Sequence, residues 1–326
     1  MDGPTFGYFN ACCRYFTFNT NVFWFMVISK KYISYFLKTL AIFLGGLAIY
    51  QFVDKTPWEK VVITHPILLV FAFLLMPVNW LLESYRWKLL ISPLVKLNFK
   101  QALIGVLSGL GAAFLGGRAI GNSLGRYWVL PQNIERKKSV GALFFSQFTQ
   151  GIFTYIYGTL SVFLLIGFQW LFPIKWTAVF ILFIVIFISI IGLFYSIKSS
   201  SKIKELFIYY FDMINEYDKP LILKTLTAAQ LRYFIFSFQF ILVMLSLDVQ
   251  LSFQTLCLVV PSIFLIKTLA PSLSGMLDLG ARELSTLYIF TLLNADVNIA
   301  LMSSLIIWGI NILLPSLVGL TIRWRL

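Results

Sequence analysis

Charged side chains are scarce in this sequence. Only 12% of the 326 residues are Asp, Glu, Lys or Arg, whereas soluble proteins average about a quarter. Hydrophobic residues make up 59% of the chain, and the mean hydropathy is +0.86. No stretch of about 100 residues is polar enough to fold in water alone, which excludes an ordinary soluble domain and a soluble enzyme with one anchor. The composition indicates a polytopic membrane protein.

Histidine and cysteine are also rare. The one histidine is His65, and the three cysteines are Cys12, Cys13 and Cys257. Neither a disulfide framework nor a zinc site can be assembled from this set. Nucleotide-binding loops of the Walker type and nucleophile elbows are missing as well, which argues against an ATP-driven pump. We therefore expect no cofactor and no metal.

Acidic residues are half as frequent as basic ones, 13 against 26, and the formal net charge is +13. In a soluble protein this excess would suggest nucleic-acid binding. In a membrane protein it is better explained by basic cytoplasmic loops that face anionic lipid. We expect membrane lipids, with anionic headgroups, as partners and no nucleic acid.

Long apolar runs dominate the rest of the chain. A hydrocarbon core about 30 Å thick needs about 20 apolar residues of helix. Six stretches satisfy this requirement: 33–53, 61–82, 140–168, 176–197, 222–247 and 298–321. Residues 1–29 are too short in apolar length to cross and are predicted to form an interfacial or disordered extension before a single domain, 30–326.

Two further apolar regions, 101–130 and 252–295, are interrupted near their middles. The interruptions are Gly/Ser/Pro-rich and carry charge, at 116–122 and 271–280. Non-helical backbone at membrane depth is tolerated only where protein or a water-filled cavity satisfies it. Each region is therefore predicted to form a re-entrant helical hairpin that lines a site.

The predicted elements repeat. Residues 33–168 and 176–321 each read helix, helix, hairpin, helix, in opposite orientations, as in the inverted repeats of transporters. The fold class is therefore an all-α membrane protein with six spanning helices and two re-entrant hairpins. With both termini cytoplasmic, 20 Lys and Arg lie in inside segments against three in outside loops, as the positive-inside rule requires.

Several charges fall in or beside apolar segments, where an unpaired charge costs about 2.5–3.5 kcal/mol. On the first hairpin, Arg118 and Arg126 have no carboxylate between Gln101 and Ile134. An anionic headgroup could neutralise them, aided by backbone N–H groups of a half-helix starting near Gly121. The alternative is internal pairing, for example between Arg126 and Glu283.

Other charges have structural explanations. On the second hairpin, Lys267 or Arg282 could pair with Asp278 or Glu283. Glu83 and Arg86 are spaced as an i,i+3 pair beside Trp87, which predicts a snorkelling helix end at the membrane interface. Residues 203–217 have one apolar face and are predicted to form a helix lying in the membrane surface.

Three of these stretches resemble the lysylphosphatidylglycerol synthase transmembrane-region family, the flippase-like domain also found in multiple peptide resistance factors. The segments that carry the resemblance are ESYRWKLLI at 83–91, IGNSLGR at 120–126 with Leu130, and Pro271-Ser272 followed by LGARE at 279–283. In the first hairpin the family pattern has Pro where Gly117 stands and Glu where Asn122 stands, and its first Arg is displaced to Arg118.

The resemblance implies a lipid translocase of a bacterial cytoplasmic membrane, supplied by a separate lipid-synthesising enzyme of the same pathway. Alternatives are a lipid-modifying membrane enzyme, with Glu283 or Asp278 as base, and a small-solute secondary transporter. The predicted substrate-binding residues lie on the two hairpins: Arg118, Gly121, Asn122, Arg126, Asp278, Gly280, Arg282 and Glu283. No catalytic residue is predicted.

Overall fold

The computed structural model describes residues 62–116, 118–131, 134, 136–167, 214–269 and 278–322. These residues form helices joined by turns, with no strand among them. The predicted extension 1–29, the predicted spans 33–53 and 176–197, and most of the predicted surface helix 203–217 lie outside the described residues.

The described helices follow one another with short connections. They are α1 (Pro66–Ile91), α2 (Phe99–Gly116), α3 (Arg118–Tyr127), α4 (Arg136–Gly167), α5 (Lys219–Ser246), α6 (Phe253–Leu269), α7 (Asp278–Leu292), α8 (Val297–Trp308) and α9 (Leu314–Thr321). A π-helical segment, Gly309–Leu313, joins α8 to α9 without a break. The two halves therefore share one order, in which a long helix precedes two shorter helices and a second long helix.

Four of these helices are long and apolar enough to cross a membrane: α1, most of α4, α5 and the continuous helix from α8 to α9. They coincide with four of the predicted spans, and the largest difference is that α1 runs on to Ile91, nine residues beyond the predicted end. This extension places Glu83 and Arg86 inside the helix rather than at its end.

Capping residues mark two of the helix starts. The Asp218 carboxylate accepts a hydrogen bond from the Leu221 amide at 3.0 Å before α5, and Asp296 accepts one from the Asn298 amide at 2.7 Å before α8. Each carboxylate satisfies a backbone donor that has no partner within its helix. Both helices therefore begin within three residues of the predicted span.

The first predicted hairpin is an antiparallel pair formed by α2 and α3. A Cβ built on Gly121 would overlap the backbone of Ala112 and Ala113, and one on Gly125 would overlap that of Gly109. Since Gly121 and Gly125 are four residues apart, they lie on the same face of α3 and let the two backbones touch. The interruption is shorter than predicted, because α3 already begins at Arg118.

The second predicted hairpin consists of α6 and α7, which also pack against each other. Residues 270–277, the predicted turn between them, lie outside the described residues. How deeply either hairpin enters a bilayer stays a prediction.

Packing between the two halves is reciprocal. Helices α1 and α5, which hold equivalent places, run antiparallel, as hydrogen bonds from the Thr64 amide to the Ser246 carbonyl and from Gln239 to the Ala72 carbonyl show. Helix α4 of the first half packs on α6 of the second, while α9 of the second packs on α2 of the first. This is the arrangement expected of an inverted repeat, which stays a prediction.

Matching glycines form the two reciprocal contacts. Gly158 of α4 lies against Pro261 and Leu265 of α6, and Gly319 of α9 lies against the Leu107 backbone of α2. Small residues let helices approach closely, which is how helix association gains packing energy in lipid. Each half therefore holds one arm of the other half's hairpin.

We predict that Gly125→Ala destabilises the protein by about 1–3 kcal/mol, because the added methyl group overlaps the α2 backbone. Thermal unfolding of the purified protein in detergent measures the effect. The matched control is Gly151→Ala in α4, where the nearest atom would be 3.7 Å away and alanine favours the helix. Equal stability of the two variants would contradict the close α2–α3 packing.

Candidate functional site

A cluster of charged side chains surrounds Glu83 in the middle of the protein. Its carboxylate accepts hydrogen bonds from three arginines on three helices: Arg86 of α1, Arg126 of α3 and Arg232 of α5. Each carboxylate oxygen accepts two of these bonds, which fills the acceptor capacity of the group. We call these four residues the Glu83 cluster.

Arg86 is the most firmly held member. Its Nε and Nη2 donate to the two Glu83 oxygens at 3.0 and 2.8 Å, in the bidentate geometry that suits guanidinium and carboxylate groups. Its Nη1 donates to the Ser146 carbonyl at 2.7 Å and to the Thr149 hydroxyl at 2.9 Å. The residue is fully buried. Arg86 therefore joins α1 to α4. Because its guanidinium donors are already used in these bonds, it has little capacity to bind a ligand.

Arg126 reaches the cluster from the first hairpin. Its Nη2 donates to Glu83 and its Nη1 donates to the Ser146 hydroxyl at 2.9 Å. The guanidinium carbon lies 5.3 Å from the centre of the Trp87 ring, within the range of a cation–π contact. Nε is buried and has no hydrogen-bond partner among the described residues. Arg126 is thus placed firmly at the wall of the cavity described below.

Arg232 completes the cluster from the second half of the chain. Its Nη1 donates to Glu83 at 2.8 Å and its Nε donates to the Asn79 side-chain oxygen at 2.7 Å. The side chain is 21% exposed, against 4% for that of Arg126. Arg232 is therefore the member of the cluster that is most open to a ligand.

The Glu83 cluster borders a cavity of about 660 Å³ between the helices. Among the described residues that line the cavity, five are cationic and Glu83 is the one carboxylate; the cations are Arg86, Arg126, Arg232, Lys267 and Arg282. Positive charges therefore outnumber negative ones on the described part of the cavity wall, which makes the cavity electrostatically suited to an anion.

One wall of the cavity is formed by α4 and carries apolar side chains that reach the surface, beside the polar Gln147, Gln150 and Thr154. We call these apolar side chains the apolar wall. Phe148, Tyr155 and Ile156 of α4 line the cavity, and each is about half exposed. Their spacing of seven and eight residues places them on one face of the helix. Since α4 is a candidate membrane span, this face connects the charged cavity with the outer, apolar surface of the protein.

Three of the predicted site residues line the cavity: Asn122, Arg126 and Arg282. Gly121 lies inside α3, three residues after its start, and packs against α2 rather than offering a free helix end. The side chains of Arg118 and Asp278, and the surroundings of Gly280, lie outside what the structure describes, although their backbones belong to α3 and α7.

Glu283 is buried near the cavity without being one of the residues that line it. One of its oxygens accepts a hydrogen bond from the Ser304 hydroxyl at 2.9 Å, which joins α7 to α8. The predicted internal ion pair between Arg126 and Glu283 is therefore wrong, although Arg126 does pair with another carboxylate. Arg126 is paired internally, with Glu83, because the α2–α3 pair brings it against α1.

The interpretation of Glu83, Arg86 and Trp87 as a snorkelling helix end is also wrong. The predicted Glu83–Arg86 ion pair exists, with 2.8 Å between Oε1 and Nη2. However, Arg86 and Trp87 are fully buried, since α1 continues to Ile91 and α3, α4 and α5 cover this face. Sequence reasoning therefore missed Glu83 and Arg86 as site residues. The signal that could have identified them is that they lie in ESYRWKLLI, one of the three segments that carry the family resemblance.

We predict that Glu83→Gln destabilises the protein by about 3–5 kcal/mol, because it leaves three arginines around a neutral amide. Thermal unfolding in detergent measures this effect. The control is Glu216→Gln, which breaks a partly exposed pair with Lys138 and should cost about 0–1 kcal/mol. Similar losses from both substitutions would contradict the central role of Glu83.

Comparison with known proteins identifies a family for this chain. The family model for the lysylphosphatidylglycerol synthase TM region matches residues 36–319, which include all of the helices described above except the last two residues of α9. Comparisons with curated proteins and with solved structures gave no significant match. The chain is a multi-pass membrane protein that belongs to the family of lysylphosphatidylglycerol synthase transmembrane regions.

Proposed function

We propose that this protein is a lipid translocase, which moves an anionic lipid between the leaflets of the membrane. The observation that carries the proposal is the cavity, in which five cationic side chains face one carboxylate and one apolar wall reaches the surface. A phospholipid matches both features of the cavity, because its phosphate is anionic and its acyl chains belong in the bilayer.

The charged part of the cavity would hold the phosphate. Arg126 and Arg232 both line the cavity, and Arg232 is the more open member of the Glu83 cluster. Guanidinium groups form strong, directional hydrogen bonds with phosphate oxygens. Glu83 and Arg86 would act as positioning residues, since their hydrogen bonds keep Arg126 and Arg232 at the cavity wall.

The apolar wall favours a lipid over a small solute. A polar solute needs a closed polar path, whereas the exposed face with Phe148, Tyr155 and Ile156 would leave the acyl chains in contact with the bilayer. Reciprocal packing of the two halves also supports a transporter built from inverted repeats, with its site between them.

An enzymatic role is less well supported. Glu283, one of the two carboxylates considered as a base, accepts a hydrogen bond from Ser304 and does not line the cavity. Glu83 accepts four hydrogen bonds from arginines, so its acceptor positions are already occupied and it is poorly placed to take a proton from a substrate. We therefore propose that the lipid leaves chemically unchanged and that a separate enzyme of the same pathway makes it.

The family resemblance suggests the cytoplasmic membrane of a bacterium as the location of this protein, and we propose that location. We propose that both termini lie inside, because the predicted cytoplasmic segments hold most of the Lys and Arg. Arg126 and Arg232 would then bind the phosphate at a site between the leaflets, which opens to each side of the membrane in turn.

We predict that Arg126→Met or Arg232→Met slows translocation of phosphatidylglycerol by about tenfold or more, because each removes a charge-assisted hydrogen bond to the phosphate. The assay follows phosphatidylglycerol, labelled on an acyl chain, across proteoliposome membranes at equal reconstitution. Lys138→Met is the control, since it removes a positive charge that lies outside the cavity and pairs with Glu216.

Three results would contradict the proposal. The first is unchanged translocation in both arginine variants, and the second is a changed headgroup in the recovered lipid, which would indicate an enzyme. The third is transport of the water-soluble headgroup alone at the same rate, which would indicate a small-solute transporter.

We also predict that an anionic lipid remains bound when the protein is purified in mild detergent. Mass spectrometry of the retained lipids should show its enrichment over the bulk membrane in the wild type. The Arg126→Met, Arg232→Met double variant should lose this enrichment, whereas Lys138→Met should keep it. Bulk lipid composition in all three proteins would indicate that the arginines have a structural role only.

A further inference from the structure

The side of α4 that faces the cavity carries polar side chains beside the apolar wall. Gln147, Gln150 and Thr154 line the cavity. Their spacings of three and four residues place them on one face of the helix, and we call these three residues the polar stripe. Gln147 is exposed, and Gln150 and Thr154 are partly exposed. The polar stripe is therefore open to a molecule in the cavity.

The polar stripe and the apolar wall run side by side along α4. Phe148 directly follows Gln147 and Tyr155 directly follows Thr154, so each apolar side chain is rotated by about 100° from its polar neighbour. Gly151 lies between the two rows, and a Cβ built there would have its nearest neighbour 3.7 Å away, in the Tyr155 ring. One helix thus offers the cavity two parallel rows of opposite polarity, as the two parts of a lipid require.

The polar stripe passes the Glu83 cluster. Its middle member, Gln150, accepts a hydrogen bond from the Arg86 Nη2 at 3.4 Å. Gln147 and Thr154 lie about one helical turn away from Gln150, toward opposite ends of α4. At 1.5 Å per residue the stripe covers about 10 Å of a hydrocarbon core about 30 Å thick. It therefore extends from the proposed phosphate site in both directions across the membrane.

Helix packing explains other polar residues of α4 but not the stripe. Polar side chains of membrane helices often hydrogen-bond to a neighbouring helix. Ser146 and Thr149 do so, since both are buried and accept hydrogen bonds from arginines of the Glu83 cluster. Gln147 and Thr154 are instead accessible in the cavity. Polar groups that face a cavity within a membrane span mark substrate pathways.

The lack of charge on the stripe suits the passage of a substrate. Arginine adds the attraction of opposite charges to its hydrogen bonds with phosphate, whereas an amide or a hydroxyl offers hydrogen bonds alone. The Glu83 cluster would therefore hold the phosphate, and the stripe would bind a headgroup more weakly. Transport requires sites that bind well enough for entry and weakly enough for exit.

We infer that the polar stripe is the path of the lipid headgroup, which forms hydrogen bonds with it while the acyl chains stay along the apolar wall. The inference rests on the proposed function and adds the route that the substrate takes. A headgroup that leaves the arginines would otherwise lose its hydrogen-bond partners inside an apolar span, which is costly. The stripe therefore lowers the barrier to movement, and its loss affects the rate of translocation more than the amount of bound lipid.

Removal of the polar groups tests the inference. In proteoliposomes, the full-length Gln147→Leu, Gln150→Leu, Thr154→Val triple variant should translocate acyl-labelled phosphatidylglycerol at least about tenfold more slowly than the wild type. Mass spectrometry after purification in mild detergent measures the retained phosphatidylglycerol. This amount should stay within about twofold of the wild type, because the arginines that hold the phosphate are unchanged.

Two further variants separate the path from a general effect on the helices. The matched control is the Gln254→Leu, Thr159→Val double variant, since both residues are exposed and neither is among the described residues that line the cavity. It should keep the rate of the wild type. The Gln147→Asn, Gln150→Asn, Thr154→Ser variant keeps two amides and a hydroxyl, and its rate should stay within about threefold of the wild type.

The outcomes distinguish this inference from the proposed function. If the triple Leu and Val variant translocates at the rate of the wild type while Arg126→Met is slow, the inference is overturned and the proposed function stands. If that triple variant loses bound lipid in proportion to its rate, or if either further variant is equally slow, the inference is also overturned. If the wild type moves no phosphatidylglycerol, both fail.

Discussion

One carboxylate organises the polar interior of this protein. Glu83 accepts four hydrogen bonds from arginines on α1, α3 and α5, and two of these arginines also bond to Ser146 of α4. The attraction is strong because the group is buried, where charges are poorly screened. Four helices from both halves of the chain thus meet at one point, and the excess of guanidinium groups there gives the cavity its positive charge.

Close backbone packing determines where these charges lie. Gly125 allows α3 to touch α2, and its neighbour Arg126 is therefore held against α1 and α4. Gly158 and Gly319 make the corresponding contacts between the halves. The cavity lies between elements that each half contributes, which accounts for its mixed character, with arginines on one side and an exposed apolar wall of α4 on another.

Much of the fold could be predicted because the signals for it are local. Apolar length and the Gly-rich interruption gave four helices and the α2–α3 pair close to their observed positions. The cost of a charge in an apolar segment likewise singled out Arg126, Lys267 and Arg282, which line the cavity, and Glu283, which does not. The prediction for the end of α1 was wrong, since burial of Glu83 and Trp87 depends on neighbours that are distant in sequence.

The sequence by itself determined that the chain is a multi-pass helical membrane protein, where its described long helices lie, and which positive charges must be compensated. Only the tertiary structure decided that Glu83 is the partner of Arg126 and that the apolar wall of α4 borders the charged site. The physical reason is the distance along the chain over which each effect acts. Hydropathy and helix spacing act along the chain, whereas the choice of an ion-pair partner depends on which helices pack together.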